Sequence, residues 1–469
     1  MPSDAQTIEA PAQTRRIRPP KTIPGPSPRF RDLVSFLAFG SPRDLLSFYM
    51  DTARQYGDIV HFGRGSYSSY FVVHPDYVKH VLQDKVRNYP KKNRFNDMLK
   101  PLTGEGLLTS DGEVWRRSRR LSQPAFHRQR LAGFATSMTD ATQAMLARWA
   151  PLAERGQALD VSQEMQRVTL SIVGRALFSA DIGADSDEMG RAVTSIFEHF
   201  NHRFRHPLSW PESVPTPRNR RFHTAIATID SVSYRLIAEH RKADTDSGDL
   251  LSMLIAARDE ETGQGLNDRQ IRDEVGTFLG AGHETTAVTL AWVWYLLSKH
   301  PYVERQVHAE VDAVLGGRTP TVEDIPRLSY TRMVIQETLR LYPPAWGMSR
   351  GIAGDDTIDG YPIPAGALMV LSPYVTHRHP AFWDNPEGFE PERFTPERVA
   401  ERPRYAYFPF GGGPRQCIGN EFALMEAQLI IAMVVQRYRL QLVPGQHIEP
   451  DPIFTLRPSS GVQVTLHAR

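Results

Sequence analysis

Cysteine is almost absent: Cys417 is the single one among 469 residues. One thiol excludes an internal disulfide, and with it the disulfide-stapled secreted scaffolds. It also excludes zinc sites built on several cysteines. A reducing compartment follows, and the expected location is cytoplasmic. An excess of one charge is missing too, since 55 Lys+Arg against 53 Asp+Glu leave a net charge of +2. Nucleic-acid binders carry a clear basic excess, so no nucleic-acid partner is expected. Long apolar runs are lacking. The longest uncharged stretch, Gly360–His377, contains Pro362, Pro364 and Pro373 and reads as turns and a strand. A spanning helix needs about 20 apolar residues, and no apolar signal stretch opens the chain, so no membrane anchor is expected. No internal repeat is found. The 16 histidines show no metal-ligand spacing such as H-E-x-x-H.

What is present is an ordinary globular composition, 41% hydrophobic and 23% charged. A prior of about 150 residues per domain suggests three domains, but the organisation argues otherwise. Residues 1–28 hold seven prolines and little that could form a core, and read as a disordered leader. Arg15, Arg16, Arg18 and Lys21 make it basic, whereas Asp4 and Glu9 count against a transit peptide. From residue 29 to 469 no long linker interrupts, so one large domain is expected. Apolar residues at i, i+3, i+4 spacing predict helices over Asp44–Tyr56, Asp76–Gln83, Glu113–Ala125, Arg130–Trp149, Val161–Phe178, Arg218–His240, Asp268–Lys299, Pro301–Leu315 and Asn420–Tyr438. Asp268–Lys299 would span about 48 Å. Its second half is apolar on nearly all sides, which predicts a buried helix crossing the molecule. Alternation and turn residues predict strands at Ile59–Phe62, Tyr70–His74, Ala367–Leu371 and Gly461–His467. The expected fold is mainly α with small β-sheets around that central helix.

Cys417 lies in Phe410–Gly419, F-G-G-G-P-R-Q-C-I-G, just before a helical segment. Free N–H groups and the helix dipole favour a thiolate there, and glycines let backbone approach a flat ligand. Three readings are open. The thiolate is a catalytic nucleophile needing a nearby base, an axial ligand to haem iron, or a structural buried cysteine.

The segment resembles the haem-binding loop of the cytochrome P-450 superfamily, through Phe410, Gly413, Arg415, Cys417 and Gly419. Other segments in the same order extend the resemblance over roughly residues 22–469. It implies the cytochrome P-450 fold, haem b with Cys417 as axial iron ligand, and Phe410, Arg415 and Gly419 as cofactor contacts. Trp115-x-x-x-Arg119 resembles the family's haem-propionate clamp, and Arg350 a further propionate contact. A planar guanidinium fork suits carboxylates. The neighbouring Arg116, Arg117 and Arg120 form either a solvated basic face or a docking surface for an acidic electron carrier. Glu337-x-x-Arg340, with Arg393 downstream, resembles the family's structural network.

Ala281-Gly282-His283-Glu284-Thr285-Thr286 sits midway along the long helix. Thr285 can bond back to the carbonyl of Ala281 and bend the helix. Oxygen activation needs protons carried into an apolar cavity, which a carboxylate beside a hydroxyl can do. The segment resembles the family's acid–alcohol pair, which makes Glu284 and Thr285 the expected proton relay. His283 is expected behind the relay or partly exposed. Leu107, Leu108, Phe278, Ala281, Ala345, Trp346 and Phe454 are the expected substrate-pocket residues by resemblance.

The expected function is a haem-thiolate monooxygenase that inserts one oxygen atom from O2 into a hydrophobic substrate, either fatty acid, terpenoid or steroid-like. The Gly106–Thr109 loop and the Ala281–Thr286 segment most resemble members that hydroxylate long-chain fatty acids, while terpenoid or steroid hydroxylation fits an apolar pocket equally well. About 50 residues follow Cys417, so no fused reductase is expected. NAD(P)H-derived electrons should then arrive from a ferredoxin- or flavodoxin-type donor with its reductase. The alternatives are a haem-thiolate protein without monooxygenase turnover, of ligand-binding or isomerase type, and a thiol hydrolase using Cys417.

Overall fold

The computed structural model describes residues 22–26, 45–63, 68–178, 183–206, 208–243 and 248–469. The leader expected over residues 1–28 therefore lies outside the described residues except for 22–26, where the Pro24 carbonyl accepts from the His61 N–H at 2.9 Å.

The longer helices are α1 (Leu45–Tyr56), α2 (Gly112–Ser122), α3 (Arg128–Glu154), α4 (Val161–Phe178), α5 (Gly183–Arg205), α6 (Pro217–Ala243), α7 (Asp268–Lys299), α8 (Pro301–Leu315), α9 (Ser329–Leu341) and α10 (Asn420–Val435). Local chemistry sets their ends. Asn267 Oδ1 accepts from the Gln270 N–H at 2.9 Å, and Gln270 Oε1 accepts from the Asn267 N–H at 3.0 Å. This reciprocal cap satisfies two donors that the first turn of α7 leaves free. Pro301 stands at the first position of α8, where its missing N–H costs nothing, and left-handed Gly316 ends it.

Helices α4, α7 and α8 have the boundaries expected from periodicity. Helix α10 stops at Val435 rather than Tyr438, because Tyr438 opens a strand that pairs with Ala468. Helix α5 was not expected. Its buried face of Met189, Val193, Ile196, Phe197 and Phe200 has helical spacing, but it begins in Gly183-Ala-Asp-Ser-Asp, a turn-like composition.

Strands β1 (Ile59–Phe62), β2 (Ser69–Val72), β4 (Met348–Gly351) and β5 (Leu368–Leu371) form one sheet in the order β1-β2-β5-β4. The β2–β5 pair is parallel, with Tyr70 opposite Met369, while β4 runs antiparallel to β5, with Arg350 opposite Met369. Strand β7 (Gln463–Ala468) lies between the short β3 (Leu159–Asp160) and β6 (Tyr438–Leu442) and pairs antiparallel with both.

Two apolar cores flank α7. One gathers its second half with α3, α4 and α10, including fully buried Trp149 and Trp294. Every residue of α10 from Leu424 to Val435 is buried, which is why this segment is apolar apart from Glu426 and Gln428. The other core joins the first half of α7 to α5 and α6. A cavity of about 1620 Å³ opens along α7 between these layers and the sheet.

Candidate active site

Cys417 Sγ lies on the wall of this cavity. The loop that carries it is fixed from both sides. The Cys417 N–H donates to the Phe410 carbonyl at 2.9 Å. Gly413 adopts φ 63°, and a Cβ there would lie 2.0 Å from the Leu82 carbonyl oxygen, so only glycine permits the approach. Burial pushes the Cys417 thiol up, opposed by the Gly419 N–H and the charges of Arg119 and Lys91. A cation bound at the sulfur, with the charges of Arg119 and Lys91, would favour the thiolate. Among the described residues no histidine lines the cavity, so a thiol hydrolase lacks its base.

Four cations crowd one region of the wall: Lys91, Arg119, Arg350 and Arg415. Asp111 is the carboxylate among them; it pairs with Arg415 and accepts from the Lys91 N–H at 2.6 Å. Arg415 also donates to the Ser110 carbonyl at 2.9 Å and lies 4.2 Å over the Trp115 ring. Arg119 donates to the Gln416 carbonyl at 2.9 Å, tying α2 to the cysteine loop. Burial, then the charge of Arg415, bring buried Arg350 down to about 10. Burial and the charges of Arg350 and Arg415 drive Lys91 well below the usual ammonium range. Desolvated like charges this close are stable only with an anionic complement. A planar dianion bound beside a soft sulfur ligand supplies it, so these residues fit the expected haem. Lys91 was missed because K-K-N at 91–93 carries no motif; the cavity alone gives it meaning.

The pocket residues Leu107, Leu108, Phe278, Ala281, Ala345, Trp346 and Phe454 all line the cavity, as do Trp115, Phe410, Gly419 and Thr285. Thr285 donates to the Ala281 carbonyl at 2.7 Å, yet α7 continues unbroken. Glu284 is not on the cavity wall. It is buried, and Thr455 Oγ1 donates to it at 3.1 Å. Burial raises its carboxyl pKa. His283 is also buried, with its ring against the Gln166 carbonyl at 3.1 Å, and burial pulls it down to about 4. The packing of α7 on α4 turns it away from solvent, correcting the expected partial exposure.

The basic face of α2 is largely engaged. Arg116 pairs with Glu113 at 2.5 Å, Arg117 donates to the Gly265 carbonyl at 2.7 Å, and Arg120 pairs with Asp259 at 2.8 Å.

Behind the loop, Arg340 donates to Glu337 at 2.7 and 2.8 Å and to the carbonyls of His377, Pro386 and Gly388. Arg393 lies 3.4 Å from Glu337, and all three side chains are buried. His377, also unforeseen, joins this group to the strand-like approach to the cysteine loop.

Comparison with known proteins agrees with this geometry. The cytochrome P450 family profile matches residues 24–466. The chain is 41% identical over 391 residues to cyclooctat-9-en-7-ol 5-monooxygenase of Streptomyces melanosporofaciens, covering 83% of this chain and 84% of that protein. It is 35% identical over 424 residues to pentalenene oxygenase of Streptomyces avermitilis, covering 90% and 92%. The crystal structure of the cytochrome P450DA heme domain superposes with a TM-score of 0.87 at 29% identity, covering 96% of this chain and 99% of that one. Among the described residues no helix is long and apolar enough to cross a membrane. The chain belongs to the cytochrome P450 family, oxidoreductases that incorporate oxygen from O2.

Proposed function

We propose that this enzyme oxidises a terpenoid-sized hydrophobic substrate, with residues 29–469 acting as one domain around the cavity. The observation that carries the reading is the cavity itself, about 1620 Å³ and walled by Leu107, Leu108, Phe278, Ala281, Trp346 and Phe454 above Cys417. The relatives named for cyclooctatenol and pentalenene favour a terpenoid over the fatty acid expected from the Gly106–Thr109 loop.

Haem iron, when bound, supplies the activation of dioxygen. Cys417 would hold the metal through its sulfur. Lys91, Arg119, Arg350 and Arg415 would hold the propionates, and the Trp115 face steadies Arg415. Phe410 and Gly419 would contact the ring. Thr285 holds a proton at the cavity wall through its hydroxyl. Glu284, whose carboxyl pKa burial raises, lies behind it rather than facing the substrate. The apolar walls orient the substrate and exclude bulk water. Electrons derived from NAD(P)H come from a ferredoxin- or flavodoxin-type carrier.

The test is a panel of terpenoids and long-chain fatty acids scored by Soret shift and by product formed with a surrogate reductase. Terpenoids should shift and be hydroxylated. Product from fatty acids alone would overturn the terpenoid assignment.

A further inference from the structure

The cavity is apolar, so the fate of each polar group on its wall is informative. Most are already engaged: Thr285 on the Ala281 carbonyl, Thr289 on the Thr285 carbonyl, Ser372 on the Trp346 carbonyl and the Trp346 indole N–H on the Ile453 carbonyl. Thr277 Oγ1 and Tyr49 differ. Tyr49 stands on α1 at the cavity wall, and its hydroxyl has no hydrogen-bond partner among the described residues. A tyrosine hydroxyl inside a protein ordinarily finds a partner, because an unsatisfied hydroxyl in apolar surroundings costs free energy.

The ring is held rigidly. Its centroid lies 4.8 Å from Phe71, 5.5 Å from Phe48, 6.3 Å from Phe62 and 6.4 Å from Trp346. The hydroxyl therefore has little freedom to seek a partner elsewhere in the chain. Desolvation alone pushes its phenol up to about 12, with no charged side chain acting on it. It stays an O–H donor at any physiological pH, and among the described residues no charged side chain acts on it.

We infer that the Tyr49 hydroxyl recognises the substrate by hydrogen-bonding a neutral oxygen function, a hydroxyl or carbonyl, that the substrate carries before this enzyme acts. The inference rests on the terpenoid reading above and narrows it to an already oxygenated skeleton. Among the described residues no charged side chain acts on the Tyr49 hydroxyl, so a carboxylate brought to it would be a buried charge without a paired cation at that point, which is disfavoured. A hydrocarbon would fit the aromatic wall but leave the phenol unsatisfied. The reaction class that supplies the substrate is thus one that installs a first alcohol or ketone on a terpene hydrocarbon.

The experiment titrates wild type and Tyr49→Phe with three ligands of one skeleton: a terpene hydrocarbon, its mono-alcohol and its carboxylic acid, each followed by Soret shift. Wild type should bind the alcohol about tenfold tighter than the hydrocarbon, the worth of one net hydrogen bond, and the acid most weakly. Tyr49→Phe should lose about tenfold for the alcohol and nothing for the hydrocarbon. Retained discrimination in Tyr49→Phe, or equal binding of all three by wild type, overturns this inference and leaves the terpenoid reading standing. No shift with any of the three overturns both. Should Tyr49→Phe fail to fold, the wild-type ranking alone still decides.

Discussion

The backbone N–H of Phe408 donates to Nε2 of His377 at 2.9 Å. The other ring nitrogen lies 3.3 Å from the Arg340 carbonyl, so the ring is a neutral tautomer with Nδ1–H donating. Burial, then the charge of Arg340, hold its pKa well below the usual range. One histidine thereby connects the Glu337–Arg340 network to the segment that leads into the cysteine loop. His377→Leu strands the Phe408 N–H and the Arg340 carbonyl. A stability loss of about 2–4 kcal/mol is expected from two unsatisfied buried groups. Urea unfolding measures it, and haem content per protein should fall with it.

Glu337→Gln should be costlier. The substitution keeps the shape but leaves Arg340 a buried charge without its carboxylate, while Arg393 keeps Glu390 at 3.2 Å. Removing one partner of a buried pair costs about 3–5 kcal/mol. A midpoint shift worth less than about 1 kcal/mol would show that the backbone carbonyls around Arg340 suffice alone.

Cys417→Ala should abolish the red-shifted Soret band of the reduced, carbon-monoxide-bound protein, because no second cysteine exists to replace it. Arg119→Gln should keep that band's position but lower the haem retained after gel filtration. It removes a cation from the wall and frees the Gln416 carbonyl that the guanidinium now holds. Unchanged haem retention would mean that Lys91, Arg350 and Arg415 compensate fully.

Glu274 gives a pH dependence of definite sign. It accepts from the Leu107 N–H at 3.1 Å and from the Ser118 hydroxyl, and burial pushes its carboxyl up to about 7. An acid whose pKa is raised in the folded state stabilises that state below its unfolded value of about 4.3, and the contribution is lost as pH rises through about 7. The stability of Glu274→Gln relative to wild type should therefore increase as pH rises from about 4.3 to 7. A pH-independent difference between the two proteins would remove Glu274 from this role.

Much of the site was legible before folding was considered. The Phe410–Gly419 loop, the i, i+3 pair Glu337 and Arg340, and the unbroken span of α7 are set by neighbours within a few residues. Glycine conformations, caps and apolar periodicity act over that range, so the sequence determined them and, through them, the family and its chemistry. Other assignments depended on which elements meet. Glu284 and Thr285 are adjacent in the chain, yet only Thr285 lines the cavity, because Thr455 draws Glu284 aside. Lys91, His377 and Tyr49 belong to no local pattern. Their roles arise where α1, α9, the sheet and the cysteine loop converge, and contacts between such distant segments are fixed by packing rather than by local spacing. The sequence determined which groups exist and what each can do chemically; the tertiary structure decided which of them share the cavity, because close packing leaves each side chain only the neighbours that the assembled elements bring.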